Sequence, residues 1–142
     1  MRHILLATDG SSGADRATEV AARLAKAFGA KLSILTVGGN VPEHEIRQLA
    51  RAEGSIGDAL ELISNEILLQ AKEHAQRTGA TDVRTESGWG DPAQAIIETA
   101  RREQADAIVM GRRGRGRLAR LLLGSVSQKV VSLAPCVVIV VP

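Results

Sequence analysis

Aromatic residues are almost missing from this chain: Phe28 and Trp89 are its only phenylalanine and tryptophan, and it has no tyrosine. The core must therefore be aliphatic, and the aromatic stacking platforms that single-stranded nucleic-acid binders usually need are disfavoured. Cysteine is equally scarce, with Cys136 alone. An intramolecular disulfide framework is excluded, and a reducing compartment fits. Between Pro135 and a valine-rich run, Cys136 reads as a small buried hydrophobe. No apolar stretch approaches the roughly 20 residues of a membrane-spanning helix. The chain also opens directly on a strand-like run, so a cytoplasmic location without a membrane partner is expected. Acidic residues stop at Asp106, whereas Arg112, Arg113, Arg115, Arg117, Arg120 and Lys129 all follow it. A net charge of only +2 thus hides a local excess of positive charge. His3, His44 and His74 are scattered without ligand spacing, so no protein-held metal is expected.

What the chain does contain is an ordinary globular balance, 44% hydrophobic and 24% charged residues, at a length that suits one domain over residues 1–142. Arg2 to Ala7 is a short apolar run entering the turn-like Thr8-Asp9-Gly10-Ser11-Ser12-Gly13. Ser12 with Asp15 has capping spacing, and Ala14, Ala17, Ala21, Leu24 and Phe28 share one helical face up to Gly29. A second strand is expected over Lys31 to Val37. Asn40 to Glu53 is polar and aperiodic, a loop with room for one helical turn around Glu45 to Arg51. Ser55 with Asp58 opens another helix, with apolar positions Ile56, Leu60, Ile63, Ile67 and Ala71, that stops at Gly79. Thr81 to Ser87 is a more polar strand suited to a sheet edge. Asp91-Pro92 supplies an N-cap and a first-turn proline for a helix that buries Ile96, Ile97 and Ala100. Trp89 either covers a crevice or packs on that helix, and the sequence does not choose. Ala105 to Met110 and Cys136 to Val141 are the fourth and fifth strands. Strands alternating with helices imply a doubly wound α/β domain, whose ligands bind beyond the strands' carboxyl ends where strand order reverses.

The stretch from Ala105 to Ser127 carries the chemistry. A β-branched pair, Ile108-Val109, ends at Gly111; a basic glycine-rich loop follows; then Gly124-Ser125 opens a helical pattern of Val126, Val130 and Leu133. The first N–H groups of a helix lack intrahelical partners and sit at its positive end, so anions collect there. Gly114-Arg-Gly116-Arg-Leu-Ala119 formally fits a dinucleotide fingerprint, but it does not open a helix directly after its strand and no acid follows. The lysine of a Walker loop is missing between Gly124 and Ser125. Such a loop holds phosphates without the groups that cleave them. Asp9, at the end of the first strand, either accepts from a nucleoside hydroxyl or the adenine amino group, or caps the following turn. Ser11-Ser12-Gly13-Ala14-Asp15 falls short of the S-G-G-x-D-S loop of ATP pyrophosphatases. Dedicated nucleic-acid binding by the arginine run is disfavoured without interleaved aromatics.

The spacing of Gly111, Gly114 and Gly124-Ser125, with the opening Ile-Leu-Leu-Ala-Thr-Asp-Gly-Ser and the closing Ala-Pro-Cys-Val-Val-Ile-Val-Val, resembles the universal stress protein family in its ATP-binding subgroup. The likeness spans essentially the whole chain and is weakest over Gly38 to Gly54. It implies a five-stranded parallel sheet in the order 3-2-1-4-5, of the adenine nucleotide alpha hydrolase-like fold, with Asp9 and Gly111 converging on one crevice. It further implies that Ala7, Thr8 and Asp9 meet the nucleoside and that the main chain at Val37 meets the adenine edge. Met110 and Gly111 would lie along the nucleoside, and Gly114, Gly124, Ser125, Val126 and Ser127 would hold phosphates, with Arg113 lining the same site. ATP is the expected ligand, and Mg2+ would arrive with its phosphates. A regulatory stress-response module, with slow hydrolysis at most and an unidentified protein partner, is the function implied. The uniformly apolar last strand would lie at a sheet edge, which invites association. A homodimer through residues 136–141 follows from that edge and from the resemblance alike. A nucleotide-free interaction protein of this fold and an ATP-using enzyme of related fold stay open.

Overall fold

A computed structural model describes residues 1–38, 47, 48, 51, 56–112 and 123–142. In chain order the elements are β1 (His3–Ala7), α1 (Ser12–Phe28), β2 (Lys31–Val37), α2 (Ile56–Thr78), β3 (Val83–Gly88), α3 (Pro92–Arg102), β4 (Ala107–Gly111), α4 (Ser125–Leu133) and β5 (Val137–Val141). Within the expected 40–53 loop, Arg47, Gln48 and Arg51 are helical, and the rest of its course lies outside the described residues. All five strands run parallel in one sheet, in the order β3-β2-β1-β4-β5. Parallel neighbours cannot be joined by a tight hairpin, so the chain crosses over through helices that cover both faces.

β1 is central, with Leu6 opposite Ile34 of β2 and Val109 of β4. Side chains alternate between faces along each strand. Ile4, Leu6, Leu32, Ile34 and Val109 pack against α1 and α2, whereas Leu5, Leu35, Ile108 and Met110 pack against α3 and α4. Both layers are aliphatic, as the shortage of aromatics requires. α1 faces the sheet with Ala17, Ala21, Ala22 and Ala25, all buried, and these small side chains let the helix lie close.

Several local expectations are corrected by a residue or two. The N-cap of α1 is Ser11, not Ser12: its hydroxyl accepts from the Ala14 N–H at 3.3 Å, and its backbone is extended. Gly10, with φ at 79°, turns the chain one residue earlier than the capping pattern suggested. The buried stripe of α1 centres on Thr18, Ala21 and Ala25, leaving Leu24 half-buried and Phe28 56% exposed. On α2 the buried positions are Ala59, Ser64, Leu68, Ala71 and Ala75, while Leu60, Ile63 and Ile67 flank them half-buried. On α4 Val130 is fully buried but Leu133 is 60% exposed. In each helix periodicity alone located an apolar side, and the sheet selected the part of it that makes contact. Cys136 is only half-buried; burial, and then the Asp106 carboxylate, push its thiol above the ordinary range.

The capping of α3 is as expected, with the Asp91 carboxylate accepting from the Gln94 N–H at 3.0 Å ahead of Pro92. β3 lies at an edge and is largely exposed, in keeping with its polar sequence.

Polar groups tie together the amino ends of the strands. His3 Nδ1 lies 3.0 Å from the Glu103 carbonyl oxygen and Nε2 lies 2.7 Å from Ser33 Oγ. A carbonyl can only accept, so in the neutral ring Nδ1–H donates to it and Nε2 accepts from the serine. Asp106 accepts from the main-chain N–H groups of Arg2 at 2.7 Å and His3 at 2.9 Å. These two bonds hold its carboxyl below the ordinary value. A depressed folded pKa contributes stability above the unfolded value and loses it as pH falls through the folded one. Asp106→Asn is therefore expected to lower the urea midpoint at pH 7, and the gap to the wild type should close as pH drops below the usual carboxylate range. An equal gap at acid and neutral pH would count against this assignment.

Candidate functional site

The connections after β1 and β2 lead to α1 and α2 on one face, and those after β3 and β4 lead to α3 and α4 on the other. The chain thus parts in opposite directions above the carboxyl ends of the sheet, and strand order reverses between β1 and β4. A groove along those ends is the expected ligand position in such sheets.

On the β1 side, the strand gives way to a tight turn. The Thr8 N–H donates to the Leu35 carbonyl at 2.9 Å, one step beyond the last residue of β1. Thr8 is 8% exposed, and its hydroxyl accepts from the Gly10 N–H at 3.2 Å. Asp9 is half-buried, and its Oδ1 accepts from the Ser11 N–H at 2.9 Å. The carboxylate therefore does cap the turn, and does so at the mouth of the groove.

Main-chain groups along β2 point alternately at its two neighbours. The Leu35 carbonyl faces β1, where it accepts from Thr8, and the Gly38 N–H faces β3, where it donates to the Gly88 carbonyl at 2.8 Å. Val37 lies between, so its own N–H and carbonyl face the β1 side, where β1 has already ended at Ala7.

On the β4 side, Ala7 pairs with Met110, which is 5% exposed and packs on the α3–α4 layer. Beyond Gly111 the Arg112 N–H donates to the Val141 carbonyl at 2.7 Å, and the Gly124 N–H returns to the Arg112 carbonyl at 3.0 Å. The two ends of the glycine-rich segment are therefore pinned together. Arg113 and Gly114 lie outside the described residues.

Gly124 is the N-cap of α4, extended at φ −65° and ψ 162°, and as a glycine it makes no side-chain cap bond to the first turn. In α1 and α3, by contrast, Ser11 and Asp91 each take one of the first N–H groups. The glycine cap leaves the N–H groups of Ser125, Val126 and Ser127 as the helix's orphan donors. Ser125 is exposed and Val126 half-buried. Ser127 is 2% exposed, and its single hydroxyl proton is shared between the carbonyls of Gly111 at 3.0 Å and Arg112 at 2.9 Å. It anchors α4 to the end of β4, so what it can offer an anion is its main-chain N–H.

Ala7, Thr8, Asp9, Val37, Met110, Gly111, Gly124, Ser125, Val126 and Ser127 thus gather around the carboxyl ends of β2, β1 and β4. The sequence reading left one neighbour undecided. The six-membered ring of Trp89 fills the place a Gly38 side chain would occupy, with Cζ3 and Cε3 standing where a Cβ would be. Trp89 is 54% exposed. The signal was present in the pairing of β2 with β3: Val37 stands opposite Gly88, which brings Gly38 beside Trp89. Elsewhere, a half-open cavity of about 350 Å3 lies against α3's last turn, lined by Ser33, Arg84, Thr85, Glu86, Arg102 and Glu103. Its two arginines and two glutamates offset each other, and Arg102 binds Glu86 with both distances at 2.7 Å. Among the described residues no three of His, Cys, Asp and Glu stand together as a metal site, and no helix is long and apolar enough to cross a membrane.

The family model described as the Universal stress protein family matches residues 1–142. A universal stress protein of Thermus aquaticus, encoded in the 3′ region of a QAH/OAS sulfhydrylase, is 39% identical over 143 residues, covering 97% of this chain and 96% of its own. Universal stress protein UspA from Lactobacillus plantarum superposes with a TM-score of 0.80 at 27% identity, covering 99% of this chain and 97% of its own. A universal stress protein solved in complex with cAMP superposes with a TM-score of 0.76 at 30% identity, with the same coverage.

The hydroxyl of Ser127 makes a separate prediction about stability. Ser127→Ala keeps the main-chain donors but unties α4 from β4, leaving two carbonyls less well satisfied. The free energy of unfolding in urea is expected to fall by about 1–2 kcal/mol, and an unchanged value would show that the anchor is redundant.

Proposed function

Because the chain belongs to the universal stress protein family, with the family match spanning residues 1–142, we propose that it is an ATP-binding regulatory module of the stress response. The observation that carries this reading is the start of α4, which follows β4 at the point where strand order reverses and has Gly124, without a capping side chain, in the cap position. The relative in complex with cAMP lends support, because it holds an adenine nucleotide on the same fold.

In this reading the N–H groups of Ser125, Val126 and Ser127, with Gly114, Gly124 and Arg113, bind the phosphates. Ala7, Thr8 and Asp9 receive the nucleoside, Met110 and Gly111 flank it, and the Val37 main chain meets the adenine edge. Magnesium enters with the triphosphate and is coordinated mainly by it. The absence of a Walker lysine favours binding over turnover, so any hydrolysis is slow. A ligand that binds only the folded state stabilises it by mass action, so occupancy can report nucleotide level to a protein partner in the cytoplasm.

The same reading includes a homodimer through residues 136–141. β5 ends the sheet, and its five residues are Val137-Val138-Ile139-Val140-Val141. Val137 is 58% exposed and the others are half-buried. Pairing two such edges would cover main-chain groups and valine side chains together.

Gly124→Val tests the ligand without straining the backbone, since the cap's extended φ and ψ suit a β-branched residue. Native mass spectrometry of freshly purified protein, with extracted nucleotide identified, is expected to show a dimer carrying adenine nucleotide that the valine variant loses. A wild-type protein that is nucleotide-free and also refuses added Mg-ATP would overturn the reading, and a monomer at micromolar concentration would overturn the dimer.

A further inference from the structure

The groove has two ends of different chemistry. At one end stands the first turn of α4, with its orphan N–H groups. At the other stands the connection from β3 to α3, Gly88-Trp89-Gly90-Asp91. The strands that lead to these two ends, β4 and β3, are three strand spacings apart, about 14 Å, a span suited to one extended nucleotide. Trp89 is the sole aromatic side chain at the carboxyl ends, since Phe28 closes α1 beside the amino ends.

Its setting is specific. The indole's six-membered ring rests against Gly38, where any side chain would collide with it. Gly38 is held to β3 by its bond to the Gly88 carbonyl. A Cβ added at Gly88 would only reach ordinary contact with Leu35, Ala95 and Val37, at 3.5–3.8 Å, whereas Gly90 takes a φ of 92° that L side chains rarely adopt. The ring is thus fixed from below and yet more than half exposed. It stands one residue from Val37, whose main chain faces the groove.

We propose that Trp89 forms the base-side wall of the groove, stacking its exposed indole on the purine of the bound nucleotide and making the chain purine-selective. The proposal rests on the nucleotide reading and adds to it the residue that chooses the base. Aromatic side chains bind bases through their π faces, and a two-ring purine overlaps an indole more than a pyrimidine does. The phosphate end, by contrast, is blind to the base.

The sole tryptophan makes the test direct. Binding of ATP, UTP and inorganic tripolyphosphate would be measured by calorimetry, with intrinsic fluorescence recorded in parallel, on the wild type, Trp89→Phe, Trp89→Ala and Gly38→Ala. Saturation with ATP should change the Trp89 emission. Trp89→Ala should weaken ATP by about tenfold or more, bring ATP and UTP toward equal affinity and leave tripolyphosphate unchanged, while Trp89→Phe keeps most of the ATP affinity. Gly38→Ala should reproduce the loss with the indole still present, because its Cβ takes the ring's place. If the wild type and Trp89→Ala bind ATP equally, the base wall is refuted and the nucleotide reading stands. A loss of tripolyphosphate affinity equal to that of ATP would make Trp89 merely structural and also refute the proposal. A wild type that binds none of the three ligands would overturn the nucleotide reading and this inference with it.

Discussion

β1 pairs with β2 on one side and β4 on the other, so that Ile4, Leu5, Leu6 and Ala7 each have a partner in both neighbours. The rest of the molecule hangs on this double pairing. It sets strands far apart in sequence side by side and forces the chain to leave their carboxyl ends toward opposite faces. The turn at Thr8-Asp9-Gly10 and the start of α4 meet across that divide. Without the β1–β4 pairing, the uncapped helix would be an ordinary exposed terminus.

The groove also depends on how its rim is held. Arg112 binds the last residue of β5, Gly124 binds back to Arg112, and Ser127 reaches the carbonyls of Gly111 and Arg112. Two main-chain bonds and one serine hydroxyl thus fix the direction of α4 relative to β4 and β5. Beneath the rim, two aliphatic layers of small and branched residues bring helices close to the sheet. At the β3 end an exposed indole stands where Gly38 makes room for Trp89. An anion-seeking end and an apolar end on one groove suit a ligand with a charged tail and a flat, hydrophobic head.

Local signals in the chain were sufficient for most of the elements. Asp91-Pro92 announced α3, Gly29 and Gly79 marked helix ends, and the polar 81–87 run foretold an exposed edge strand. The glycine pattern around Gly111 and Gly124 located the start of α4. Such features are settled by residues within about one turn of each other, through caps, allowed backbone angles and alternation. The order of the strands was available through resemblance to a family, not through periodicity.

The sequence by itself determined that this is an aliphatic, alternating α/β chain with an anion-ready helix start near its end. Tertiary structure alone decided which part of each apolar helical side is buried and where Trp89 stands. The physical reason is the range of the forces. A helix lying on a sheet buries the narrow stripe that the sheet's shape admits, and that shape is made by strands dozens of residues away. Likewise, Gly38 and Trp89 meet only because β2 and β3 pair in register. No property of either residue's own neighbourhood in the chain encodes that contact.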